Sequence, residues 1–434
     1  MEYKNQKAIL AKLKVEQLNP MQEEASLAIH SKQNTIILSP TGSGKTLAFT
    51  LPLLNELDQK EEAVQMLVIV PTRELAIQIE QVIREIGAGF KVNAFYGGRN
   101  FSKDKSELNQ TPQILIGTPG RIADHIRRET IHVDALKALV LDEFDKSLEI
   151  GFDNEMAEIL ESTNSDKKTL LTSATESDEL PEFLELPDPI TIDYLEEKVK
   201  DLEILTIQSP TKDKLDTLLE TLCHLGNQPG IIFCNYKDSI QRVSDYLSEK
   251  GISHACFYGG LEQIERERAL IKFRNGSHQL LLATDLAARG IDIPEIKFII
   301  HYHLPQNEEE FTHRNGRTAR MHARGTAYLL KGFEEILPDY IEKEHYQKLE
   351  EKPIPSSSIW TTLFISGGRK DKISKGDIVG LFFKQGNIEK DQLGIIELKQ
   401  DCAFVSVHKK VAAQLIGKLN NSRLKKKKVR VKEV

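Results

Sequence analysis

The sequence has 434 residues, of which 40% are hydrophobic and 28% charged, and this is typical of a soluble globular protein with two or three domains. No apolar run approaches the roughly 18 residues of a membrane-spanning helix, the N-terminal segment lacks a signal peptide's apolar stretch, and the four cysteines form no C-x-x-C pair. The composition therefore predicts a cytoplasmic protein without a disulfide framework or a zinc site.

The formal net charge of −7 is unevenly distributed along the chain. From Trp360 to Val434 there are 17 Lys and Arg against 7 Asp and Glu, a net charge of +10, which leaves −17 on the preceding residues. An acidic body with a basic tail predicts that the tail binds a polyanion.

The first candidate site follows helices predicted over residues 5–32. An apolar run, Thr35–Leu38, predicts a strand, and the segment S-P-T-G-S-G-K-T from Ser39 to Thr46 comes directly after it. In such a loop the glycines let backbone N–H groups approach phosphate oxygens, Lys45 reaches the outer phosphates, and the Thr46 hydroxyl can bind Mg²⁺. The alternative is a glycine loop that caps an ordinary helix. The strand before the loop and the helix after it favour nucleotide binding.

Further apolar runs predict buried strands with helices between them, the alternation of a parallel α/β sheet. One of the helices is predicted over residues 74–86. The strands are predicted at residues 67–70, 114–116, 138–141 and 169–171.

A weak internal repeat predicts a second α/β domain of the same build. Tyr96 and Tyr258, each followed by two glycines, lie 162 residues apart. The ends of two other strand pairs, Val70 with Phe233 and Thr118 with Thr284, differ by 163 and 166 residues. The second half has no G-x-G-K-T loop, so one nucleotide site completed by the partner domain is expected.

The domain boundaries follow from polar and proline-containing stretches. We expect a first α/β domain with the phosphate loop at 1–198, a second α/β domain at 199–348, a linker at 349–359 and a basic module at 360–434. Within the module, strands are predicted at 362–365, 394–398, 403–407 and 428–431, with a helix at 410–419.

An acidic tetrad, Asp142 to Asp145, closes the strand at 138–141. An acidic strand end beside a phosphate loop is where such nucleotide sheets hold Mg²⁺, so Asp142 is assigned to the metal and Glu143 to the attacking water. Taken alone, the tetrad would be a helix cap or a solvated loop.

A basic cluster, His313 to Arg320, lies in the predicted second domain. Arg317 and Arg320 would share one side of a helix, and cations from a facing domain can neutralise charge that develops on the γ-phosphate. The alternative is a basic surface helix.

The ordered motifs over residues 18–320 resemble those of the DEAD-box RNA helicases. This resemblance implies two tandem RecA-like parallel-sheet domains followed by a small α+β RRM-like domain. It implies that Gln22 reads adenine, and that Gly290 and Asp292 contact the ATP ribose and phosphates together with the loop residues Ser39, Thr41, Gly42, Ser43, Gly44, Lys45 and Thr46. The catalytic residues would be Lys45, Asp142, Glu143, Arg317 and Arg320.

The same resemblance implies an RNA-backbone interface and a set of residues that couple hydrolysis to unwinding. The coupling residues would be Asp145, Ser173, Thr175 and His313. The RNA contacts of the two α/β domains would be Thr72, Arg73, Gly98, Thr118, Pro119, Gly120, Arg121, Gln263, Arg266, Thr284 and Asp285. The sequence departs from the family pattern at Phe144, where Ala is usual, and at Ala319, where Gly is usual.

The basic module resembles the C-terminal RNA-binding domain of the DbpA subfamily, with Arg369, Lys370 and Lys372 as its RNA contacts. Only Phe404 is aromatic on the strand where an RRM places its base-stacking side chains. Residues Lys425–Lys428 are either a phosphate clamp or a solvated end.

The resemblance implies an RNA-stimulated ATPase that uses ATP and Mg²⁺ and remodels RNA, with 23S ribosomal RNA as the ligand and large-subunit assembly as the task. The alternatives are a general RNA chaperone that remodels mRNA, a non-catalytic RNA-binding scaffold and a DNA translocase. The oligomeric state is left open, with a monomer favoured.

Overall fold

A computed structural model describes residues 6–13, 15–40, 42–175, 180–195, 202–285, 296–318, 325–341 and 345–434. The chain divides into two compact units, with the boundary between residues 200 and 201. The second unit contains both the second α/β domain and the C-terminal domain. Among the described residues no helix is long and apolar enough to cross a membrane.

The first unit is a seven-stranded parallel sheet with the strand order β3-β4-β2-β5-β6-β1-β7. Its strands are β1 (Asn34–Leu38), β2 (Met66–Ile69), β3 (Val92–Phe95), β4 (Ile114–Gly117), β5 (Ala138–Leu141), β6 (Lys168–Ser173) and β7 (Ile190–Asp193). Its described helices are α1 (Gln6–Leu13), α2 (Pro20–Ser31), α3 (Lys45–Leu54), α4 (Arg73–Ile86), α5 (Phe101–Glu107), α6 (Pro119–Arg127), α7 (Phe144–Ile150) and α8 (Asp153–Glu161).

The central strands are apolar throughout because helices cover both faces of the sheet. Every residue of β2, β4 and β5 is buried. Successive side chains point to opposite faces, so Met66 and Val68 join the core under one helical layer while Leu67 and Ile69 join the core under the other.

The second α/β domain has a six-stranded parallel sheet with the order β10-β11-β9-β12-β13-β8. Its strands are β8 (Leu202–Gln208), β9 (Gly230–Phe233), β10 (His254–Phe257), β11 (Leu280–Ala283), β12 (Phe298–His301) and β13 (Gly325–Lys331), and its described helices are α9 (Leu215–Leu225), α10 (Lys237–Glu249), α11 (Gln263–Arg274) and α12 (Glu308–Asn315). The strand order repeats that of β3-β4-β2-β5-β6-β1, which confirms the tandem repeat.

The C-terminal domain is a four-stranded antiparallel sheet with the order β15-β16-β14-β19 and a small hairpin, β17–β18. Its elements are β14 (Trp360–Ile365), α13 (Lys375–Leu381), β15 (Leu393–Leu398), β16 (Ala403–His408), α14 (Lys409–Leu419), β17 (Arg423–Leu424), β18 (Lys427–Lys428) and β19 (Val431–Glu433). The predicted architecture of two RecA-like domains and an RRM-like domain is confirmed.

The single strand predicted at 428–431 is wrong. The hairpin strand ends at Lys428, and the chain turns before β19 begins at Val431. Val429 is fully buried and donates its N–H to the Ser422 carbonyl, whereas the Arg430 N–H bonds the Ser366 hydroxyl at 2.8 Å. The basic tail is therefore shared between the hairpin and the four-stranded sheet, with the buried Val429 between them.

Candidate nucleotide and RNA site

The predicted nucleotide residues of the first unit lie at the carboxyl edge of its sheet. Ser39 follows β1, Ser173 ends β6 and Asp142 follows β5, and these three strands are neighbours. The Ser39 N–H donates to the Ser173 carbonyl at 3.0 Å, and the Thr172 hydroxyl donates to the Asp142 carboxylate. The carboxyl edge of an open parallel sheet is where α/β proteins bind their ligands.

The phosphate loop has the backbone shape that its glycines predict. Gly42 and Gly44 are left-handed, with φ of 87° and 92°, and a Cβ at Gly44 would collide with the Gln22 amide. Lys45 begins α3, is 7% exposed and donates from Nζ to the Ser39 and Pro40 carbonyls, the latter at 3.2 Å. The lysine therefore lies within the loop that is predicted to bind the phosphates of the nucleotide.

Gln22 is tied to this loop. Its Oε1 accepts the Asn19 N–H at 3.0 Å in a capping box at the start of α2, and its Nε2 donates to the Gly44 carbonyl at 3.1 Å. Asn19 Nδ2 donates in turn to the Ser43 carbonyl at 2.9 Å. The helix α2 and the phosphate loop are thereby held together, and adenine reading by Gln22 stays a prediction.

Asp142 and Glu143 occupy a strained strand end. Asp142 is 3% exposed, and burial raises the pKa of its carboxyl, opposed by the Thr172 hydrogen bond and by the charge of Lys45. Glu143 adopts a left-handed backbone, φ 49° and ψ 51°, which costs about 1 kcal/mol or more for a residue other than glycine. Such strain at a predicted catalytic residue is a common feature of active sites.

Phe144 turns away from this chemistry. Its ring is 2% exposed and lies in the same hydrophobic core as Leu141 and Met156, under α7 and α8. The departure from the usual Ala is therefore accommodated by the core, while the carboxylates on either side keep their positions at the strand end.

The structure brings three of the predicted coupling residues together. The Asp145 carboxylate accepts the Thr175 hydroxyl at 2.9 Å and the Ala174 N–H at 3.3 Å. The Ser173 hydroxyl donates to the Thr175 carbonyl at 2.6 Å. The tetrad at the end of β5 is thereby joined to the end of β6.

The predicted RNA contacts of the first unit lie at the same edge, after the neighbouring strands β2, β3 and β4. Thr72 caps α4 by accepting the Leu75 N–H at 3.3 Å. Gly98 is left-handed at φ 80°, and a Cβ there would lie 2.6 Å from the Arg73 guanidinium. The Thr118 hydroxyl accepts the Gly97 N–H at 3.4 Å, so the turns after β3 and β4 touch each other.

In the second α/β domain the structure reveals a buried arginine that the sequence reasoning left without a role. Arg314 is 1% exposed and pairs through two nitrogens with both oxygens of Asp285, each at 2.6 Å. It also donates to the Asn235 side chain and to the His303 carbonyl, both at 2.8 Å. Arg314 belongs to the basic cluster from His313 to Arg320, so the sequence did contain a signal for it. The Asp285 carboxylate, which was predicted to contact RNA, is therefore bound by Arg314 of the same domain.

The other predicted residues of this domain are spread over three elements. Gln263 begins α11, with the Arg266 guanidinium 4.9 Å from the Phe257 ring centre, and Thr284 follows β11. His313 and Arg317 are buried at the end of α12. The predictions at Thr41, Gly290, Asp292 and Arg320 fall outside the described residues.

Nine of the 17 basic residues of the C-terminal domain lie in two segments, which we call the basic surface: residues 369–375 and 423–428. Lys427 pairs with Asp371 at 2.6 Å, and Lys425 pairs with Asp377 at 2.8 Å and bonds the Lys372 carbonyl. The hairpin is thereby tied to the segment that carries Arg369, Lys370 and Lys372. Lys370, Lys372, Lys426 and Lys428 are exposed and have no ion pair among the described residues.

The outer face of the C-terminal sheet, where an RRM stacks bases, packs instead on the second α/β domain. The Ser406 hydroxyl donates to the Asn275 carbonyl at 2.9 Å, the Thr362 and Ser277 hydroxyls are 2.6 Å apart, and Glu397 binds Arg274 through both carboxylate oxygens at 2.8 and 2.9 Å. The basic surface lies outside this interdomain contact, and Lys370, Lys372, Lys426 and Lys428 on it are exposed.

The ion pair in this contact predicts a pH-dependent stabilisation. Burial alone would raise the pKa of Glu397, but the Arg274 guanidinium holds it below its usual value. We expect Arg274→Gln to lower the free energy of unfolding by about 1–2 kcal/mol at pH 7, as urea titration would measure. A lowered carboxyl pKa stabilises the fold above the unfolded value of about 4.3, and the difference should disappear as the pH falls through the folded pKa.

Arg242→Gln is the control for this prediction. Arg242 pairs with Asp213 at 2.7 Å in the same α/β domain, but both side chains are more than half exposed, so its loss should cost about 0.5 kcal/mol or less. Equal losses in the two variants would contradict the role given to the Arg274–Glu397 pair.

The DEAD/DEAH box helicase family model matches residues 19–183, the helicase conserved C-terminal domain matches 213–322, and the DbpA RNA binding domain matches 362–433. ATP-dependent RNA helicase DbpA of Bacillus subtilis (strain 168) is 30% identical, covering 95% of this chain and 93% of its own, and DbpA of Escherichia coli (strain K12) is 34% identical, covering 96% and 94%.

Solved structures give the same result. S. cerevisiae Dbp5 bound to RNA and ADP BeF3 aligns with a TM-score of 0.68 and 27% identity, over 76% of this chain and 87% of that chain. Two parallel α/β domains, a phosphate loop and an acidic strand end are the parts of a helicase-type ATPase, and the family models and relatives show that the chain belongs to the DEAD-box family of ATP-dependent RNA helicases. Within the family its C-terminal domain places it in the DbpA subfamily.

Proposed function

We propose that this protein is an RNA-dependent ATPase that locally unwinds structured segments of 23S ribosomal RNA during assembly of the large ribosomal subunit, in the cytoplasm and as a monomer. The observation that carries the proposal is the basic surface, which lies outside the predicted nucleotide site and belongs to a DbpA-type domain. A cationic surface on an otherwise acidic helicase can select a particular RNA, which the helicase domains cannot do because they bind RNA independently of its sequence.

In the proposed mechanism, each residue of the nucleotide site has one role. Lys45 binds the outer phosphates, Glu143 orients the attacking water, and Arg317 and Arg320 stabilise the charge on the γ-phosphate. Mg²⁺ would be held by the Thr46 hydroxyl and the Asp142 carboxylate, where it would neutralise phosphate charge. The fit is supported by Asp142, a buried carboxylate at the carboxyl edge of the sheet, because carboxylate oxygens are ligands that Mg²⁺ prefers.

RNA is proposed to bind along Thr72, Arg73, Gly98 and the Thr118–Gly120 segment, with Gln263, Arg266 and Thr284 from the second α/β domain. These turns offer backbone N–H groups, hydroxyls and a few cations, which suit phosphate and 2′-hydroxyl recognition without base readout. The Asp145–Thr175 contact, with His313, would transmit hydrolysis to this surface. The RNA affinity of the helicase domains would then depend on ATP.

We expect Lys370→Glu combined with Lys372→Glu to abolish the preference for ribosomal RNA. The concentration of a 23S RNA fragment that half-maximally stimulates ATP hydrolysis should rise about tenfold or more, because phosphate contacts are lost. Each lost contact should also lower the slope of log affinity against log salt by roughly 0.7–1. Stimulation by saturating poly(U) should stay within about twofold, since the helicase domains are unchanged.

The control variant is Lys384→Glu combined with Lys390→Glu, which makes the same change in net charge in the same domain but outside the basic surface. Equal loss of preference in both double variants would mean that net charge alone selects the RNA. Equal activation by 23S fragments and poly(U) in the parent protein would favour the second candidate function, a general RNA chaperone.

A non-catalytic scaffold is disfavoured because Lys45, Asp142, Glu143 and Arg317 are all present at their predicted positions in the chain. A phosphate-release assay with and without RNA separates the two possibilities directly, and DNA as the alternative activator separates an RNA helicase from a DNA translocase.

A further inference from the structure

A buried carboxylate lies between the two turns of the first unit that are proposed to bind RNA. Asp104 on α5 is completely buried and faces three cationic or ionisable partners. Arg121 reaches its Oδ2 with Nε at 2.9 Å and with Nη2 at 2.6 Å, His125 reaches the same oxygen at 3.2 Å, and Arg99 Nε lies 2.7 Å from Oδ1. We call Asp104, Arg99, Arg121 and His125 the Asp104 cluster.

The Asp104 cluster connects segments that are separate in sequence. Arg99 directly follows the Gly97–Gly98 turn after β3, and Arg121 lies in the first turn of α6, directly after Thr118–Gly120. Arg121 Nη2 also donates to the Arg99 carbonyl at 3.1 Å, and Arg99 Nη1 donates to the Ala94 carbonyl at 2.7 Å. One carboxylate therefore fixes the distance between the two turns.

Aromatic rings hold the Asp104 cluster rigid. The Phe101 ring stacks on His125 with the ring centres 4.4 Å apart and lies beneath the Arg121 guanidinium at 4.8 Å. The other face of His125 stacks on Phe95 at 4.9 Å, and its Nδ1 is 2.7 Å from the Thr130 hydroxyl. Each cation of the cluster is thus confined by packing as well as by charge.

These contacts change the role expected of Arg121. Its side chain is only 11% exposed, and two of its three nitrogens are committed to Asp104 and to the Arg99 carbonyl. A guanidinium that binds a buried carboxylate with this geometry is a strut between two segments, whereas a phosphate ligand needs its fork turned toward the nucleic acid.

We propose that Asp104 is a positioning residue for RNA binding. Through Arg121 and Arg99 it sets the spacing of the Gly97–Gly98 and Thr118–Gly120 turns, so that the Gly98 and Gly120 N–H groups and the Thr118 hydroxyl meet successive phosphates of one RNA strand. Arg121 acts as part of this strut and does not itself bind phosphate. The inference rests on the proposed function in one respect, the assignment of RNA binding to these two turns.

The test uses the full-length chain, with poly(U) as the RNA and ATP hydrolysis as the readout. Asp104→Asn keeps the shape and removes the charge that holds the cations. We expect the KM for RNA to rise about tenfold or more, because displaced contacts lose complementarity to the phosphates, while kcat at saturating RNA and ADP affinity without RNA stay within about twofold. A purely structural defect would lower ADP affinity and kcat as well.

Arg121 variants provide the second measurement, which remains informative if Asp104→Asn folds poorly. Loss of a phosphate ligand would lower the salt slope of RNA binding by about 0.7, and lysine would largely replace the arginine. Loss of a strut leaves the slope unchanged and makes Arg121→Lys as defective as Arg121→Gln. A reduced slope, or rescue by lysine, would overturn the inference.

Two more variants complete the design. Arg127 lies on α6, as Arg121 does, and pairs with Glu158 of α8 at 2.7 Å. Glu158→Gln removes this pair without touching either turn, and the KM of the variant for RNA should equal that of the parent. Gly98→Ala introduces a Cβ at a left-handed position 2.6 Å from Arg73 and should raise the KM for RNA. If Gly98→Ala raises the KM and Asp104→Asn does not, the positioning role is wrong. If neither changes it, the assignment of RNA binding to these turns fails as well.

Discussion

Glu143→Gln is expected to lower RNA-stimulated ATP hydrolysis by about a thousandfold, because a correctly placed base or water-orienting group contributes roughly 10²–10⁴-fold. Glutamine keeps the size of the side chain but cannot accept a proton from the attacking water. Binding of ATP and of RNA should stay within about twofold, since the change leaves Lys45 and the RNA-facing turns intact.

The backbone at this position makes the variant informative. Glu143 has a left-handed backbone between β5 and α7, and its N–H donates to the Thr172 hydroxyl at 3.3 Å. Glutamine tolerates the same backbone about as well as glutamate, so a loss of activity would reflect chemistry and not refolding of the loop.

Single-turnover hydrolysis with RNA in excess is the appropriate measurement. Glu161→Gln, an exposed position at the end of α8, makes the same charge change in the same domain and should leave the rate unchanged. Retention of RNA-stimulated hydrolysis by Glu143→Gln would show that another group orients the water.

Lys45→Ala should have the second large effect, and it should act on binding as well as on turnover. The buried ammonium of Lys45 lies within the phosphate loop, where it bonds two loop carbonyls. A lysine there acts as a point charge on the outer phosphates. We expect ATP affinity to fall about a hundredfold, which corresponds to about 2.7 kcal/mol, within the range of a charge-assisted bond at a buried site.

Lys167→Ala is a matched control for this variant. Lys167 is also a buried lysine of the first unit, 9% exposed and bonded to the Asn164 carbonyl at 2.7 Å, but it precedes β6 and so lies at the opposite edge of the sheet. Its removal should change stability and leave ATP affinity as in the parent, as titration with a fluorescent ATP analogue would measure. Equal losses of ATP affinity in both variants would indicate a general destabilisation of the domain.

The two variants separate the two halves of the ATPase cycle. Glu143→Gln should bind ATP and RNA without turnover, whereas Lys45→Ala should fail at the first step. If RNA affinity depends on ATP as proposed, RNA binding at saturating ATP should be retained in the first variant and weakened in the second.

The sequence by itself determined the architecture and the backbone shape of the phosphate loop because both are written in local patterns. Apolar runs placed strands such as β5 at the observed residues, and the glycines of the loop at Ser39–Thr46 predicted its left-handed backbone. The repeat of Tyr96 at Tyr258 predicted the second α/β domain, because equal strand orders space equivalent residues equally along the chain.

Only the tertiary structure decided which side chains support these motifs. Asp104 meets Arg121 across 17 residues, and Arg274 meets Glu397 across 123, so no local pattern indicates either partner. Arg121 illustrates the difference: its motif predicted an RNA contact, and its surroundings make it a strut. Periodicity reports which way a segment faces, whereas the partner of a buried charge is set by the packing of distant segments, where an uncompensated ion would be too costly to bury.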